Sequence, residues 1–338
     1  MHALRSTALA LVFSFACATP ALAWGASGHR FISGAAAAAL PDSVPGFVRT
    51  PDARSEIERL GPEPDRIRNS GKEIDSDLDP GHFLDLGDDL TVGGAFALDA
   101  LPATRALYDS ALRDAHTSAS VQGYLPYNII EGWQLVRKDF AIWRIDAAGE
   151  RTAGDPATRA FFTSDRLLRE ALTLRDIGYW SHFVADASQP MHASVHYNGW
   201  GDYPNPKGYT NAKTTHWNFE GPFVHQHANL AAVLARVGPY RACGCSIEAQ
   251  TIAYLTATNA QLVPFYDLEL HGAFANATPA GVDFTLVRLA AGATMLRDMI
   301  GEAWEESARW NVGYPPVKVE DLESGKIPVT RALLDGSE

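Results

Sequence analysis

Cysteine is scarce in this sequence, and its scarcity excludes a scaffold held together by disulfides. The 338 residues include three cysteines, whereas disulfide-rich domains depend on several bridges. Cys17 lies near the start, so only Cys243 and Cys245 remain in the body of the chain. This closely spaced pair could form one tight bridge or bind a metal, and a local loop feature without a catalytic role is favoured. The fold must therefore depend on its hydrophobic core.

Basic residues are also few. The 28 lysines and arginines are outnumbered by 40 aspartates and glutamates, which gives a formal net charge of −12 at pH 7. This balance excludes an extended basic surface for nucleic acid of the kind that transcription factors use. It does not exclude a site that holds phosphate through metal ions, because such a site needs no basic groove.

Long apolar runs are missing as well. No run outside the first 23 residues reaches the ~20 residues that a transmembrane helix needs. Residues 1–23 have the pattern of a secretory signal peptide, with a basic residue, a short apolar run and the cleavage site Ala21-Leu22-Ala23. A membrane anchor is the alternative, but the run is too short for one. We predict cleavage between Ala23 and Trp24 and a secreted or periplasmic protein.

Apolar residues recur mostly at intervals of three to four, which is typical of helices. Strand-like alternation is scarce, and no internal repeat or linker divides the chain. We predict a mostly α, single-domain multi-helix bundle over residues 24–313, with long loops at 61–90 and 191–215 and a polar tail at 314–338. Helices are predicted over residues 29–40, 127–144, 167–187, 247–266 and 284–304.

The segment from Ser181 to His192 has the strongest chemical pattern. His182 and Asp186 are four residues apart, so they share one face of a helix. Pro190 stops the helix and allows His192 to fold back. Imidazole and carboxylate groups on one face suit a divalent transition metal. The alternative is an ordinary amphipathic helix with a hydrogen-bonded histidine.

Three weaker features could complete such a site. His216 and Glu220 repeat the spacing of four residues, and His82 lies between a turn and an apolar pair. Asp65 and Arg68 belong to a short charged run. Each of these patterns is also common in ordinary helices, turns and solvated surfaces.

The predicted N-terminus offers a further set of ligands. A free α-amino group and the carbonyl oxygen of the same residue, Trp24, can chelate a metal in a five-membered ring. His29 follows five residues later and could complete the site. This arrangement requires cleavage before Trp24, and the signal-peptide pattern predicts cleavage at that position.

In this order, the segments from Trp24 to Glu220 resemble the S1/P1 nucleases and the related zinc-dependent phospholipases C. The resemblance implies a helical fold of that type, with long loops around a cleft that holds three zinc ions. The implied ligands are Asp65, His82, His182 and Asp186 for the first ion, His192, His216 and Glu220 for the second, and Trp24, His29 and the bridging Asp186 for the third. The histidines outside this pattern are assigned to surface or core: His116, His196, His225, His227 and His271.

The resemblance also implies a reaction. A hydroxide shared by two zinc ions would attack a phosphodiester, because zinc lowers the pKa of bound water to ~7. Asp65 would orient the attacking water, Arg68 would contact phosphate, and Asp85 would accept a hydrogen bond from a metal-bound histidine. We predict a zinc-dependent endonuclease that cleaves single-stranded DNA or RNA to 5′-nucleotides, together with 3′-nucleotidase activity.

A phospholipase C acting on phosphatidylcholine-like lipids is the alternative. The spacing of Asp65 and Arg68 and the run from His82 to Asp85 are nuclease-like. Glu220, where nucleases usually have aspartate, and the run from Gln189 to Ala193 are phospholipase-like. A secreted zinc-binding protein without catalysis is less favoured, since three protein ligands at the second ion would leave an open position.

Aromatic residues near the predicted ligands are candidate substrate contacts. Phe83 follows His82, and Tyr197 and Trp200 belong to an aromatic loop. They could stack on bases, contact choline by cation–π attraction or only pack the loop. The acidic net charge favours short or single-stranded nucleic acid as the substrate. The sequence indicates no obligate protein partner.

Overall fold

Helices make up most of the part of the chain that the computed structural model describes, residues 24–335. The predicted signal peptide, residues 1–23, lies outside the described residues. Within the described part, the α-helices are α1 (Gly25–Ala38), α2 (Gly46–Arg49), α3 (Pro51–Leu60), α4 (Lys72–Leu78), α5 (Arg105–Asp114), α6 (Ala119–Gln122), α7 (Leu125–Thr152), α8 (Pro156–Asp186), α9 (Thr215–Asn218), α10 (Val224–His227), α11 (Leu230–Leu234), α12 (Ile247–Asn259), α13 (Leu262–Leu270), α14 (Pro279–Ser307), α15 (Val319–Glu323) and α16 (Ala332–Asp335). The mostly helical fold class is confirmed.

Strands and irregular helical turns are short. Two antiparallel hairpins pair β1 (Thr91–Val92) with β2 (Phe96–Ala97) and β3 (Asn311–Val312) with β4 (Val317–Lys318). The 3₁₀ turns span Pro64–Ile67, Asp79–His82, Leu98–Ala100 and Pro190–Ala193, and a π-helical turn spans Phe219–Phe223. The predicted loop 61–90 therefore contains α4 and two 3₁₀ turns.

The main hydrophobic core lies between α1 and the long helices. Helix α1 packs on α3, α8 and α14, while α7 and α8 pack on each other along their length. Helices α7 and α8 approach closely at Gly132, because glycine has no Cβ and a Cβ at this position would overlap the indole of Trp180. Gly149 makes a similar close approach to the ring of Phe162. This tight helix pair gives the end of α8 a fixed position in the core.

Helix α8 begins and ends at recognisable signals. The side chain of Asp155 accepts hydrogen bonds from the main-chain N–H groups of Ala157 and Thr158, and Pro156 occupies the first helical position. The helix ends at Asp186, and Pro190 begins the next 3₁₀ turn. The helix therefore ends shortly before Pro190, and its last turn, which carries His182 and Asp186, is buried.

The helix predicted over residues 247–266 is two helices, and the prediction of one is wrong. Helix α12 ends at Asn259 and α13 begins at Leu262. Pro264 explains the break, because its ring excludes the carbonyl of Ala260 and it has no N–H to donate. The side chain of Asn259 donates to the carbonyl of Ala193 at 2.7 Å, which attaches the break to the loop after α8.

The C-terminal segment lies on the surface of the helical core. The predicted boundary after residue 313 falls between β3 and β4, within one hairpin. Val319 and Leu322 are buried against Ala141 and Ile145 of α7. The apolar side chains between Val317 and Leu334 therefore pack on the helical core.

Two further features concern the surface. Cys243 and Cys245 form a disulfide within an exposed loop, which is the tight bridge that the sequence analysis gave as one alternative.

Between residues 24 and 335, no helix is both long and apolar enough to cross a bilayer.

A buried carboxyl between α7 and α8 predicts a pH effect on stability. Burial, and then the neighbouring Asp165, raise the pKa of Asp146 to about 8. An unfolded aspartate titrates near ~4. Between these values the folded protein keeps a proton that the unfolded chain has released, so the free energy of unfolding falls as the pH rises. We expect Asp146→Asn to reduce this fall by about 1–3 kcal/mol between pH 5 and pH 8.

Urea unfolding of both proteins in the presence of a chelator measures this difference without metal binding. The control is Asp283→Asn, which removes an exposed carboxylate paired with Arg236. Equal pH slopes in Asp146→Asn and the parent protein would contradict the prediction.

Candidate metal centre

Eight side chains predicted as metal ligands meet at the end of α8. Short elements around this helix end supply most of them, because 3₁₀ and π-helical turns can present single side chains inward from a loop. They are His29 from α1, Asp65, His82 and His192 from three 3₁₀ turns, His182 and Asp186 from α8, His216 from α9, and Glu220 from the π-helical turn. All but Asp65 are buried.

These side chains form three groups that could each hold a metal ion. Within each group the ligand atoms lie within 4.8 Å of one another. The groups are His192, His216 and Glu220; Asp65, His82 and His182; and His29, His182 and Asp186. The first is the set predicted for the second ion. His182 belongs to two groups, because its ring stacks on that of His29 with centroids 3.8 Å apart.

Asp186 lies between two of these groups. Its Oδ1 is 3.5 Å from Nε2 of His29, and its Oδ2 is 3.1 Å from Nδ1 of His82 and 3.3 Å from Nε2 of His182. Each carboxylate oxygen therefore faces a different set of imidazoles. This geometry fits a bridging carboxylate.

The group formed by His192, His216 and Glu220 has its nitrogen and oxygen atoms especially close together. Nε2 of His192 and Nε2 of His216 are 3.0 Å apart, and Oε1 of Glu220 lies 3.2 Å from the former and 2.7 Å from the latter. The amide of Gln189 donates to the same Oε1 at 2.5 Å. Gln189 is a residue of this site that the sequence did not identify, although it directly precedes Pro190.

Main-chain carbonyls orient three of the histidines. The Nδ1–H groups of His182, His192 and His216 donate to the carbonyls of Gly61 (2.9 Å), His82 (2.6 Å) and Tyr197 (2.7 Å), respectively. This arrangement leaves each Nε2 as the ligand atom. Asp85 was expected to accept such a hydrogen bond, but for these three rings the acceptor is the main chain.

The charges of the site follow from burial. Burial lowers the pKa of His29, His82 and His182 well below the usual histidine value, so these rings are neutral at pH 7. Burial and nearby Asp65 raise the pKa of Asp186 well above its usual value. Burial alone would raise the pKa of Glu220, but His216 and His192 outweigh it and lower that pKa to about 2.

Several buried atoms of the site have no hydrogen-bond partner among the described residues. They are both ring nitrogens of His29, Oδ1 of Asp186 and Oε2 of Glu220. A buried polar atom without a partner costs about 1–3 kcal/mol, so such a concentration calls for a ligand. Neutral imidazoles and carboxylates are the donors that a divalent transition metal prefers. The residues therefore fit a metal ion.

Trp24 is anchored beside the same helix end. Its side chain is 0% exposed, and its indole N–H lies 2.9 Å from the carbonyl of Ala185 and 2.8 Å from Oγ of Ser188. A Cβ at the next residue, Gly25, would lie 3.0 Å from the carbonyl of Glu220. The carbonyl of Trp24 also accepts the N–H of Gly28 at 3.1 Å. The indole of Trp24 thus lies against the end of α8, and the main chain at Gly25 lies close to that of Glu220.

A pocket of about 380 Å³ opens beside the ligands. Three of the predicted ligands, His82, His192 and His216, form part of its wall. The predicted residues Arg68, Phe83, Asp85 and Tyr197 also line it. Nε of Arg68 is 3.0 Å from Oδ1 of Asp65, and burial raises the pKa of Asp85 to about 7. The pocket therefore combines a cation, a titratable carboxyl and two aromatic rings.

Trp200 does not line this pocket, and its assignment as a substrate contact is corrected. It is 6% exposed, stacks on His196 with centroids 3.8 Å apart and packs on Tyr209 and Tyr266. Its indole N–H donates to the carbonyl of Pro204 at 2.8 Å. Trp200 packs the loop, whereas Tyr197 is 48% exposed at the pocket.

Relatives offer no independent assignment of this centre. Comparisons of the chain with models of protein families, with curated proteins and with solved structures found no match.

Proposed function

We propose that this protein is a zinc-dependent phosphodiesterase that hydrolyses single-stranded DNA or RNA to 5′-nucleotides and also acts as a 3′-nucleotidase. The observation that carries the proposal is the convergence of eight imidazole and carboxylate side chains at one end of α8, beside a pocket with a cation and two aromatic rings. The acidic chain has no need of a basic groove if phosphate is held through metal ions.

The donor set supports zinc as the metal and three as the number of ions. Imidazole nitrogens and carboxylate oxygens without cysteine suit catalytic zinc, and His192, His216 and Glu220 would leave one position of a tetrahedral ion open. Asp186 would bridge two ions, and the main chain of Trp24 would complete the set around His29. Zinc bound there would supply a water of lowered pKa and neutralise charge on phosphate oxygens.

The chain's own residues would position the substrate. Arg68, which lies against Asp65 at the pocket wall, can donate two N–H groups to a phosphate. Phe83 and Tyr197 offer ring faces on which unpaired bases can stack, worth about 1–3 kcal/mol each. Asp85, with its pKa of about 7, can accept or donate a hydrogen bond to substrate near neutral pH.

Phospholipase C activity is the second candidate, because specific features favour it. Glu220 replaces the aspartate usual in the nucleases that the chain resembles, and it is held by Gln189. Met191 and Val121 add apolar surface to the pocket. A lipid headgroup would meet the same ligands as a nucleotide phosphate, so the substrate must be distinguished by assay.

The test is release of 5′-mononucleotides from single-stranded RNA by the zinc-loaded protein that begins at Trp24. We expect rapid release that a chelator abolishes and added zinc restores. Phosphatidylcholine vesicles and duplex DNA are assayed in parallel. Release of phosphocholine without mononucleotides would replace the nuclease proposal with the phospholipase. A protein that holds zinc but hydrolyses none of these substrates would contradict both.

Arg68→Ala tests the phosphate contact. We expect kcat to fall about 10–100-fold while the zinc content stays normal, because a charge-assisted contact to phosphate is lost. The matched control is Arg66→Ala, since Arg66 is exposed and pairs with Glu63. Steady-state kinetics and zinc analysis of the three proteins measure the effect. Equal rates for all of them would make Arg68 a structural partner of Asp65 only.

We also propose that residues 1–23 direct export to the periplasm or the exterior. The support is the sequence pattern and the buried position of Trp24 beside the centre. N-terminal sequencing of the protein secreted by its host should give Trp24 as the first residue.

A further inference from the structure

Two ligand-bearing segments, residues 82–88 and 192–196, lie side by side. The ring of His192 donates to the carbonyl of His82 at 2.6 Å, the N–H of Leu84 donates to the carbonyl of His192 at 2.8 Å, and the N–H of Val195 donates to the carbonyl of Leu86 at 3.0 Å. The contacts advance along both segments, away from the ligands. His196 and Asp88 make the last of them.

His196 is fully buried although it is not a predicted ligand. Its Nδ1 lies 2.6 Å from the carbonyl of Trp200, and its Nε2 lies 2.9 Å from Oδ1 of Asp88. Its main chain is also held, since its N–H donates to Oγ of Ser194 and its carbonyl accepts the hydroxyl of Tyr266. Every polar group of this residue therefore has a partner.

Asp88 supplies the only charge in direct hydrogen-bond contact with the ring of His196 among the described residues. Each ring nitrogen of His196 therefore faces one oxygen, the carbonyl of Trp200 at Nδ1 and the carboxylate of Asp88 at Nε2. The side chain of Asp88 is 65% exposed, so it can be replaced without opening the core. The buried ring is thus fixed by a residue at the surface.

The residue after His196 contacts a predicted metal ligand. The carbonyl of Tyr197 accepts Nδ1–H of His216 at 2.7 Å, and the side chain of Asn198 accepts the N–H of His216 at 3.2 Å. Any shift of residue 196 would therefore move both acceptors that orient His216. Because Nε2 of His216 is the ligand atom, its aim depends on this loop.

We propose that Asp88 and His196 are positioning residues that set the orientation of His216, and thereby the metal affinity of the group formed by His192, His216 and Glu220. The inference rests on the proposed function, since it concerns the metal group of that site. Neither residue touches the ligand atoms. They act indirectly, because they hold the loop whose Tyr197 carbonyl accepts the hydrogen bond from the ring of His216.

The experiment compares Asp88→Asn, Asp88→Ala and the parent protein by zinc titration against a competing chelator. Loss of an outer-shell partner of a metal-bound histidine weakens binding about 10–100-fold. We expect about tenfold weaker binding of one ion in Asp88→Ala, a smaller loss in Asp88→Asn, which keeps an acceptor oxygen, and unchanged binding of the other ions. Asp202→Asn is the control, because Asp202 is an exposed carboxylate in the loop that contains His196.

A double-mutant cycle identifies the ion. In a Glu220→Gln background, where this metal group is already broken, Asp88→Ala should have no further effect on zinc binding. His196→Gln, which retains a donor toward Asp88, should weaken the same ion because the contact to Trp200 is lost. A merely structural role would lower thermal stability and leave the affinities of all ions unchanged.

Unchanged zinc affinity in Asp88→Ala and His196→Gln would overturn the proposal, as would equal weakening of every ion. The readout is metal affinity, so it does not depend on which phosphodiester is cleaved. The two proposals can fail separately. If the variants lose zinc affinity as expected but the parent protein hydrolyses no nucleic acid, the proposed nuclease function is contradicted and the positioning role is supported.

Discussion

Asp186→Asn is expected to release two of three zinc ions and to reduce hydrolysis at least ~1000-fold. The carboxylate faces His29 through one oxygen and His82 and His182 through the other. An amide of the same shape has no negative charge and only one oxygen to offer. Each ion contributes several kcal/mol of charge stabilisation to phosphoryl chemistry, so the loss of two removes nearly all activity.

The fold should survive this change. Burial raises the pKa of Asp186 well above its usual value, so without metal its carboxyl costs free energy to ionise in the folded state. A neutral amide removes that cost, and the melting temperature in chelator should be unchanged or higher. Zinc analysis, hydrolysis rates and melting curves distinguish metal loss from unfolding. Asp114→Asn, at an exposed position on α5, is the control. Full zinc content with a normal rate would remove Asp186 from the centre.

One additional residue before Trp24 is expected to displace one zinc ion and to slow hydrolysis at least ~100-fold. The indole of Trp24 is fixed by Ala185 and Ser188, so the main chain at residue 24 cannot move aside to make room. A peptide bond at its nitrogen would abolish the free amine that the chelate requires. The loss of one ion from a phosphoryl-transfer site costs several kcal/mol.

The comparison uses two forms of the protein, one beginning at Trp24 and one with a preceding alanine. Zinc content by mass spectrometry should fall from three ions to two, while helicity stays the same. Cleavage of the alanine by an aminopeptidase should restore both zinc and rate. Equal zinc content in the two forms would show that His29 and Asp186 bind without the amine.

The sequence alone predicted the two pairs of ligands that have helical spacing. His182 and Asp186 are four residues apart, as are His216 and Glu220, and such pairs share a face wherever a helical turn forms. His29, His82 and His192 have no such internal signal. They were assigned through their order along the chain, and the structure brings them to the same place.

Other features of the site had no signal in the sequence. The acceptors of three histidines are carbonyls, and every residue has a carbonyl, so no residue type marks them. Trp200 and Tyr197 looked alike as aromatic residues of one loop, yet Trp200 is covered by His196 and Tyr266. The break between α12 and α13 does have a signal in the sequence, because Pro264 disrupts the helical turn that precedes it.

The carbonyl acceptors have a consequence for how this centre tolerates sequence drift. Substitution of Tyr197 can change a side chain but cannot delete the oxygen that receives an imidazole proton. Gly61 is an exception, because a Cβ there would lie 2.5 Å from Oγ of Ser33 and would displace its own peptide unit. The orientation of these rings is therefore robust to most single-residue replacements and vulnerable to insertions or deletions, which shift the peptide units themselves. Mutational scans should find that loop length around the centre is under stronger selection than loop composition.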